Sequence, residues 1–467
     1  MRLGKERVRL CVLAGGLLLP ALAQAAPDTL EQAWAQAYRN NPSLEAQRAS
    51  LRALDEDVSQ ALGHWRPSID ATGTYGKTWQ FTPGLNFFGP NNLDDKTKSY
   101  GAQVTQPLFR GFRTVAETEA AENRVKSGRA KLESAEQQLL LDTASAYLGT
   151  MRDEAILSLE RDHEKVLEEK LAETQERTKG GELTQTDVRQ AQSRLARAHV
   201  SRFQAESALT QDRASFLRLV GDSPGKLQAP VLVQSPHTLA NIFQLSETQN
   251  PEVIASQFAV DEADAEIRLN KGALLPEVDL VGSSSRNFGQ NITTPGRVDS
   301  SEAIVQLTMP LYRSGSDYSK ARAAQQTASQ RRDELDEARH KAHESADNAW
   351  QSFMTAQAAL DADKAQVAAA IDALAGVTEE SKVGTRTTLD VLNAEQELLD
   401  ARIDQVRSQH DRDLSVLQIR AAVGELTAAN LKLPVEPYNP EQHYRDVRNQ
   451  WAGFSKDDAR YRVPPAQ

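Results

Sequence analysis

The sequence predicts a mainly α-helical chain with a smaller, membrane-type β component, built twice over. Three observations carry this expectation. Segments of about ten residues alternate strictly between apolar and polar. Proline-free helical stretches run to about 70 residues. An internal repeat places both kinds of segment at matching points in each half.

The 467 residues begin with Arg2, Lys5, Arg7 and Arg9, an apolar run over 10–23, and the small-residue pattern Ala23-Gln24-Ala25. This reads as a secretory signal peptide over residues 1–25, the run being too short to span a bilayer as a helix. The one cysteine, Cys11, falls inside it. The mature chain is therefore expected to lack disulfide chemistry, which suits a bacterial envelope protein. Ala26 stands where an acylated chain would need cysteine, so no lipid anchor is expected. Removing Arg2, Lys5, Arg7, Arg9 and Glu6 takes the formal charge from −11 to −14. So acidic a body argues against nucleic acid as a partner. No later run of ~20 apolar residues suggests a spanning helix.

Asn41-Pro42 recurs as Asn250-Pro251, and Pro67 as Pro276, both 209 residues on. Beyond that the offset becomes 203, pairing Pro107 with Pro310, Gly181 with Gly384, Asp187 with Asp390 and Gly221 with Gly424. The organisation that follows is a first repeat over 26–220, a Pro/Gly-rich linker over 221–249, a second repeat over 250–424, and a closing segment and tail over 425–467, polar and poorly ordered from 439 on. Each repeat should run as a lead-in helix (30–65; 252–274), two strands, a very long helix, a tight turn and a returning helix. In the first strand Ile69, Ala71, Gly73, Tyr75 and Trp79 fall on one face and Ser68, Asp70, Thr72, Thr74 and Thr78 on the other. In the second, Tyr100, Ala102, Val104 and Leu108 oppose Ser99, Gln103 and Thr105. The turn-rich, aromatic stretch 81–95 between them reads as an outer loop. Ala303, Val305, Leu307 and Met309 repeat the pattern, whereas Glu277, Asp279 and Arg286 interrupt the strand after Pro276. Such alternation is that of membrane β-strands, apolar to lipid and polar to the lumen. Four strands cannot close a barrel alone, and open edges are not tolerated in lipid, so several chains would share one.

The long helix over 110–179 could reach about 105 Å, matched by about 55 Å over 184–220 and about 50 Å over 30–65. Heptad spacing marks Val188, Leu195, Leu209 and Phe216, with Ala191, Ala198 and Ala205 between; Ala394 and Ala401 are the second-half counterparts. Pro107 and Pro310 are read as strand-to-helix junctions, because proline gives no N–H to a ladder yet fits a helix's first turn. His340, His343 and Glu344 read as a solvated coiled-coil face, and no motif suggests catalysis, a cofactor or a metal.

The layout resembles the TolC family of outer-membrane export factors over nearly all of the mature chain. QPLF at 106–109, VGTRTTLDVLNA at 383–394 and its partner GELTQTDVRQAQ at 181–192 carry the resemblance. It implies a homotrimer whose chains share a twelve-strand transmembrane β-barrel, continued by a long α-helical coiled-coil tunnel through the periplasm. A small domain built from the linker and the closing segment would belt the tunnel. It also implies a passive duct in the lipid of the outer membrane, serving an inner-membrane ABC or proton-driven transporter through a periplasmic adaptor. The missing anchor cysteine leans toward type I protein secretion, with small-molecule efflux the alternative. A periplasmic adaptor with a coiled-coil hairpin fits less well, having one hairpin rather than two; a soluble coiled-coil scaffold would not need the strands. At the tip, Gly180, Gly181 and Gly384 would allow the reversals. Asp187 and Arg386 would latch it shut, with Ser381 standing where the family often has tyrosine. Asp390 would form an acidic constriction ring, and the second acidic ring falls on the neutral Asn393, softening cation selectivity. Charge favourable to a helix N-terminus is the simpler role for Asp187 and Asp390.

Overall fold

A computed structural model describes residues 27–81, 92–232, 238–288 and 296–453. The expected signal peptide, most of the expected outer loop and the tail beyond 453 lie outside the described residues.

Each half repeats one order. The first has α1 (Leu30–Asn40), α2 (Pro42–Gly63), β1 (Ser68–Phe81), β2 (Asn92–Arg110), α3 (Arg113–Lys179) and α4 (Gln185–Val220). The second has α5 (Leu239–Gln249), α6 (Pro251–Gly272), β3 (Glu277–Phe288), β4 (Arg297–Thr308), α7 (Ser316–Lys382) and α8 (Thr388–Ala422). A short α9 (Gln442–Val447) closes the chain. The long helices α3 and α7 have 67 residues each, about 100 Å of rod. Along its length α3 packs against α4 toward one end and against α2 and α6 toward the other; α7 packs against α8 and α6 in the same way.

The lead-in helix expected over 30–65 is two helices, broken at Asn41. Asn41 caps α2 by accepting from the Ser43 N–H at 2.9 Å, and its amide donates to the Leu219 carbonyl at the end of α4 (3.0 Å). Asn250 does the same in the second half, accepting from Glu252 N–H and donating to Ala422 O near the end of α8 (2.9 and 3.3 Å). The repeated Asn-Pro is thus the joint where a lead-in helix meets the end of a returning one. Replacing Asn41, which is buried, by alanine removes a cap and strands the Leu219 carbonyl. We expect a loss of about 2 kcal/mol, read from denaturant unfolding, and a further loss when Asn250 is also replaced.

The strands form one antiparallel sheet in the order β1-β2-β3-β4, with both outer edges unpaired among the described residues. Register sorts the faces. Ile69, Val104, Gly282 and Ala303 form one cross-strand row; Ala71, Ala102, Ser284 and Ser301 form the next. Leu280 with Val305, and Val278 with Leu307, continue the same apolar face toward the helices. Tyr75, Trp79 and Tyr100 gather at its far end, as in an interfacial girdle. Two of the three charges that interrupt β3 are accounted for by ion pairs. Glu277 lies on the polar face and pairs with Arg113, while Arg286 makes a bidentate pair with Asp299 (2.6 and 3.0 Å) and donates to the Tyr100 hydroxyl.

The proline reading needs correction. Pro107 lies inside β2, at a bulge against β3 between Pro107 and Phe109, where a missing N–H costs no ladder bond. α3 starts at Arg113, after Gly111 and Phe112 have both taken left-handed φ (59° and 60°). Pro310 follows β4, and α7 starts at Ser316 after Ser314 and Gly315 take φ 51° and 75°. A left-handed pair, not the proline, turns each strand into its helix. At the first corner a Cβ on Gly111 would meet the Gly272 carbonyl at 2.4 Å, so the two backbones touch there.

Around the middle of α3 a belt of short helix and non-helical chain is packed. Trp34 donates to Leu140 O (2.8 Å), and the Tyr147 hydroxyl meets the carbonyls of Asp28 and Gln228 (2.8 and 2.7 Å). Burial pushes that hydroxyl's pKa up to about 12. The expectation of an unstructured segment from 439 onward is also corrected. The part up to 453 docks on α2 and α3 through the buried Val447, His443 against Asp55 (3.2 Å) and Arg448 to Glu122 (2.8 Å).

Candidate functional site: the helix-turn tips

Both hairpins reverse by the same local chemistry. At the first, the Glu182 N–H bonds Arg177 O and the Gly181 N–H bonds Thr178 O (3.0 and 3.1 Å); at the second, Thr385 N–H bonds Glu380 O and Gly384 N–H bonds Ser381 O (3.0 and 3.1 Å). These are the paired bonds of a left-handed helix stop. Gly181 and Gly384 supply it, at φ 81° and 80°. Gly180 has an ordinary φ of −73°, so its conformation does not call for glycine, a correction to the expected trio. Ser381 contributes its backbone carbonyl to the turn.

The next helix is then capped. Thr184 accepts from the Asp187 N–H, and the Asp187 carboxylate accepts from both the N–H and the hydroxyl of Thr184 (2.8 Å each). Thr387 and Asp390 repeat this bond for bond (2.9 and 2.8 Å). The reciprocal box satisfies two orphan donors at each helix start. The Thr184 and Thr387 donors hold both carboxyls below their ordinary pKa. A depressed carboxyl pKa gives stabilisation that is complete above the unfolded value, about 3.9, and is lost as pH falls through the lower folded value. Protection of the Thr184 and Thr387 amides from hydrogen exchange, taken relative to the intrinsic rate at each pH, should therefore persist down to about pH 4 and fall together below it.

The latch residues do not meet one another in one chain. Asp187 is held by Thr184. The Arg386 guanidinium donates to Glu380 at 2.8 Å, and that carboxylate raises the arginine's pKa. No bond joins Asp187 to Arg386 among the described residues. Asn393, expected as a neutral constriction residue, accepts from Arg194 of the other hairpin at 2.7 Å. Just beside it Leu392 packs with Leu167, Leu195 and Ala198, so α3, α4 and α8 meet there. Arg194 and Glu380 went unnoticed in sequence. Nothing in local periodicity ties position 194 to 393. His340, His343 and Glu344 are all exposed on α7, and His343 also stacks on Phe243 (centroids 4.0 Å apart).

Two hairpins joined to one open-edged sheet are not the plan of an adaptor. Sequence comparison decides the matter: the family described as outer membrane efflux protein matches residues 34–222 and 242–425. The chain belongs to this family. The resemblance to the TolC family is thereby borne out, and the protein is placed in the outer membrane, extending into the periplasm. Outer membrane efflux protein BepC of Brucella suis is 32% identical over 457 residues, 98% of each chain. Alkaline protease secretion protein AprF of Pseudomonas aeruginosa is 23% identical over 437 residues, 90% of this chain and 89% of its own. The Campylobacter jejuni CmeC outer membrane channel superimposes with a TM-score of 0.78 over 90% of this chain and 89% of its own; at 13% identity it attests the fold. Among the described residues no helix is long and apolar enough to cross a membrane.

Proposed function

We propose that three copies of this chain pool their sheets into a twelve-strand barrel and their hairpins into one tunnel. The assembly is the passive exit duct of a tripartite exporter, engaged at its tip by a periplasmic adaptor and an inner-membrane transporter. The observation that carries this is the four-stranded sheet with two unpaired edges and one apolar face, in a chain of an outer-membrane family. Unpaired backbone is not tolerated in lipid, and four strands are half the smallest closed barrel. Both edges must therefore be met by other chains.

For the cargo we infer protein, by type I secretion. The relation to AprF, whose name records protease secretion, supports this. Small-molecule efflux is the second reading, favoured by the fuller match to BepC, named for efflux. Comparing the secreted proteome with and without the gene separates them. Loss of one or a few large proteins from the medium supports secretion. An unchanged secretome with new sensitivity to dyes and detergents supports efflux. Neither change would count against the duct itself.

A further inference from the structure

One side-chain cluster lies outside the barrel, the belt and the tips. Glu164 and Glu168 stand one turn apart on α3, and His199 faces them from α4. One ligand atom from each lies within 4.8 Å of the others. The approach is close because Ala198, beside His199, is buried against Leu167, and alanine at that heptad place lets the two helices come together. His199 Nδ1 points at one Glu164 oxygen. The other Glu164 oxygen is taken by Arg202 Nε at 2.7 Å, and Arg202 is itself shared with Glu206 at 2.9 Å. The Glu164 side chain is only 13% exposed, whereas His199 is 43% exposed and leaves the cluster open to solvent on one side.

An ion pair between two helices needs one carboxylate and one cation. Here Arg202 already pairs with Glu164, yet a second carboxylate and an imidazole converge on the same point. We infer that Glu164, Glu168 and His199 form a divalent transition-metal site that ties α3 to α4, about 22 Å up the hairpin from its turn. One imidazole and two carboxylates are a ligand set for zinc or its first-row neighbours, not for magnesium, which prefers oxygen alone. The open side supplies room for a water as the fourth ligand. The ion would oppose any parting of the two helices, so occupancy stiffens the hairpin whatever the cargo. Arg202 is close enough to weaken binding by repulsion, so its removal should tighten it.

The test uses the untagged full-length protein, extracted in detergent and stripped of metal. Calorimetric titration with Zn2+ should show one saturable ion per chain. His199→Ala and Glu168→Gln should each weaken it by at least about tenfold. His340→Ala, at an exposed histidine on α7, should change nothing, and Arg202→Gln should strengthen binding. Circular dichroism of each variant checks that its helices are intact. With Co2+ in place of Zn2+, the visible ligand-field bands should be lost in His199→Ala. Zn2+ should raise the thermal midpoint of the unaltered protein and not of that variant. Absence of saturable Zn2+ binding, or an affinity unchanged by His199→Ala, would overturn the assignment.

Discussion

Val104→Arg should remove the protein from the outer membrane. Val104 sits in the cross-strand row of Ile69, Gly282 and Ala303, near the centre of the sheet's apolar face. In a shared barrel that row meets the middle of the hydrocarbon, where an arginine costs about 2–4 kcal/mol. Three chains carry the cost at once, against a total stability of the usual marginal size. We expect the variant to accumulate as unassembled chain in the periplasm. Ser283→Arg is the control, because Ser283 lies on the opposite, polar face, opposite Gln103 and Glu302. It should assemble at near-normal yield. Membrane fractionation and semi-native electrophoresis report both outcomes. Normal assembly of Val104→Arg would mean that this face does not meet lipid.

The second large effect concerns ion passage at the tip. On the proposal that Asp390 rings the constriction of a trimeric tip, as the family resemblance implies, Asp390→Asn should abolish most of the preference for cations over anions in planar-bilayer recordings, by removing three carboxylates. Restoring a second acidic ring is less simple than adding one charge per chain. Arg194 already donates to Asn393, so Asn393→Asp alone creates three ion pairs and adds little free charge. Asn393→Asp combined with Arg194→Gln leaves the new carboxylates unpaired. A trivalent cation about 8 Å from a carboxylate gains about 0.5 kcal/mol per charge pair even in water, and nine such pairs are added. Block by a trivalent cation should then tighten by at least about tenfold, the floor allowing for salt screening. Equal block in the single and double variants would show that Arg194 does not govern the charge at this position.

What could be read from sequence follows from which interactions are local. The strand faces, the long helices and both tips rest on period two, heptads and turn residues, and the fold and family agreed with that reading. Pro107 misled because its missing N–H is as well suited to a bulge as to a helix start. Which of the two applies depends on the register with β3, some 170 residues away. Asn41 and Asn250 were visible only as alignment marks. Their work is a bond to a carbonyl 178 or 172 residues distant. The segment after 439 looked unstructured because it is polar and short of apolar periodicity; it is held by ion pairs and one valine against α2 and α3. The tip was legible in its turns and caps, which are local, and not in its cross-hairpin contact, Arg194 to Asn393.

Everything above depends on three chains closing one barrel. Native mass spectrometry of the protein extracted from outer membranes tests it most directly. The expected result is a particle of three mature chains, with neither monomer nor higher species in quantity. A stable monomer would contradict it, since four strands would then have to live in lipid with open edges. A dimer would contradict it as well, because an eight-strand barrel is filled by its own side chains and leaves no duct.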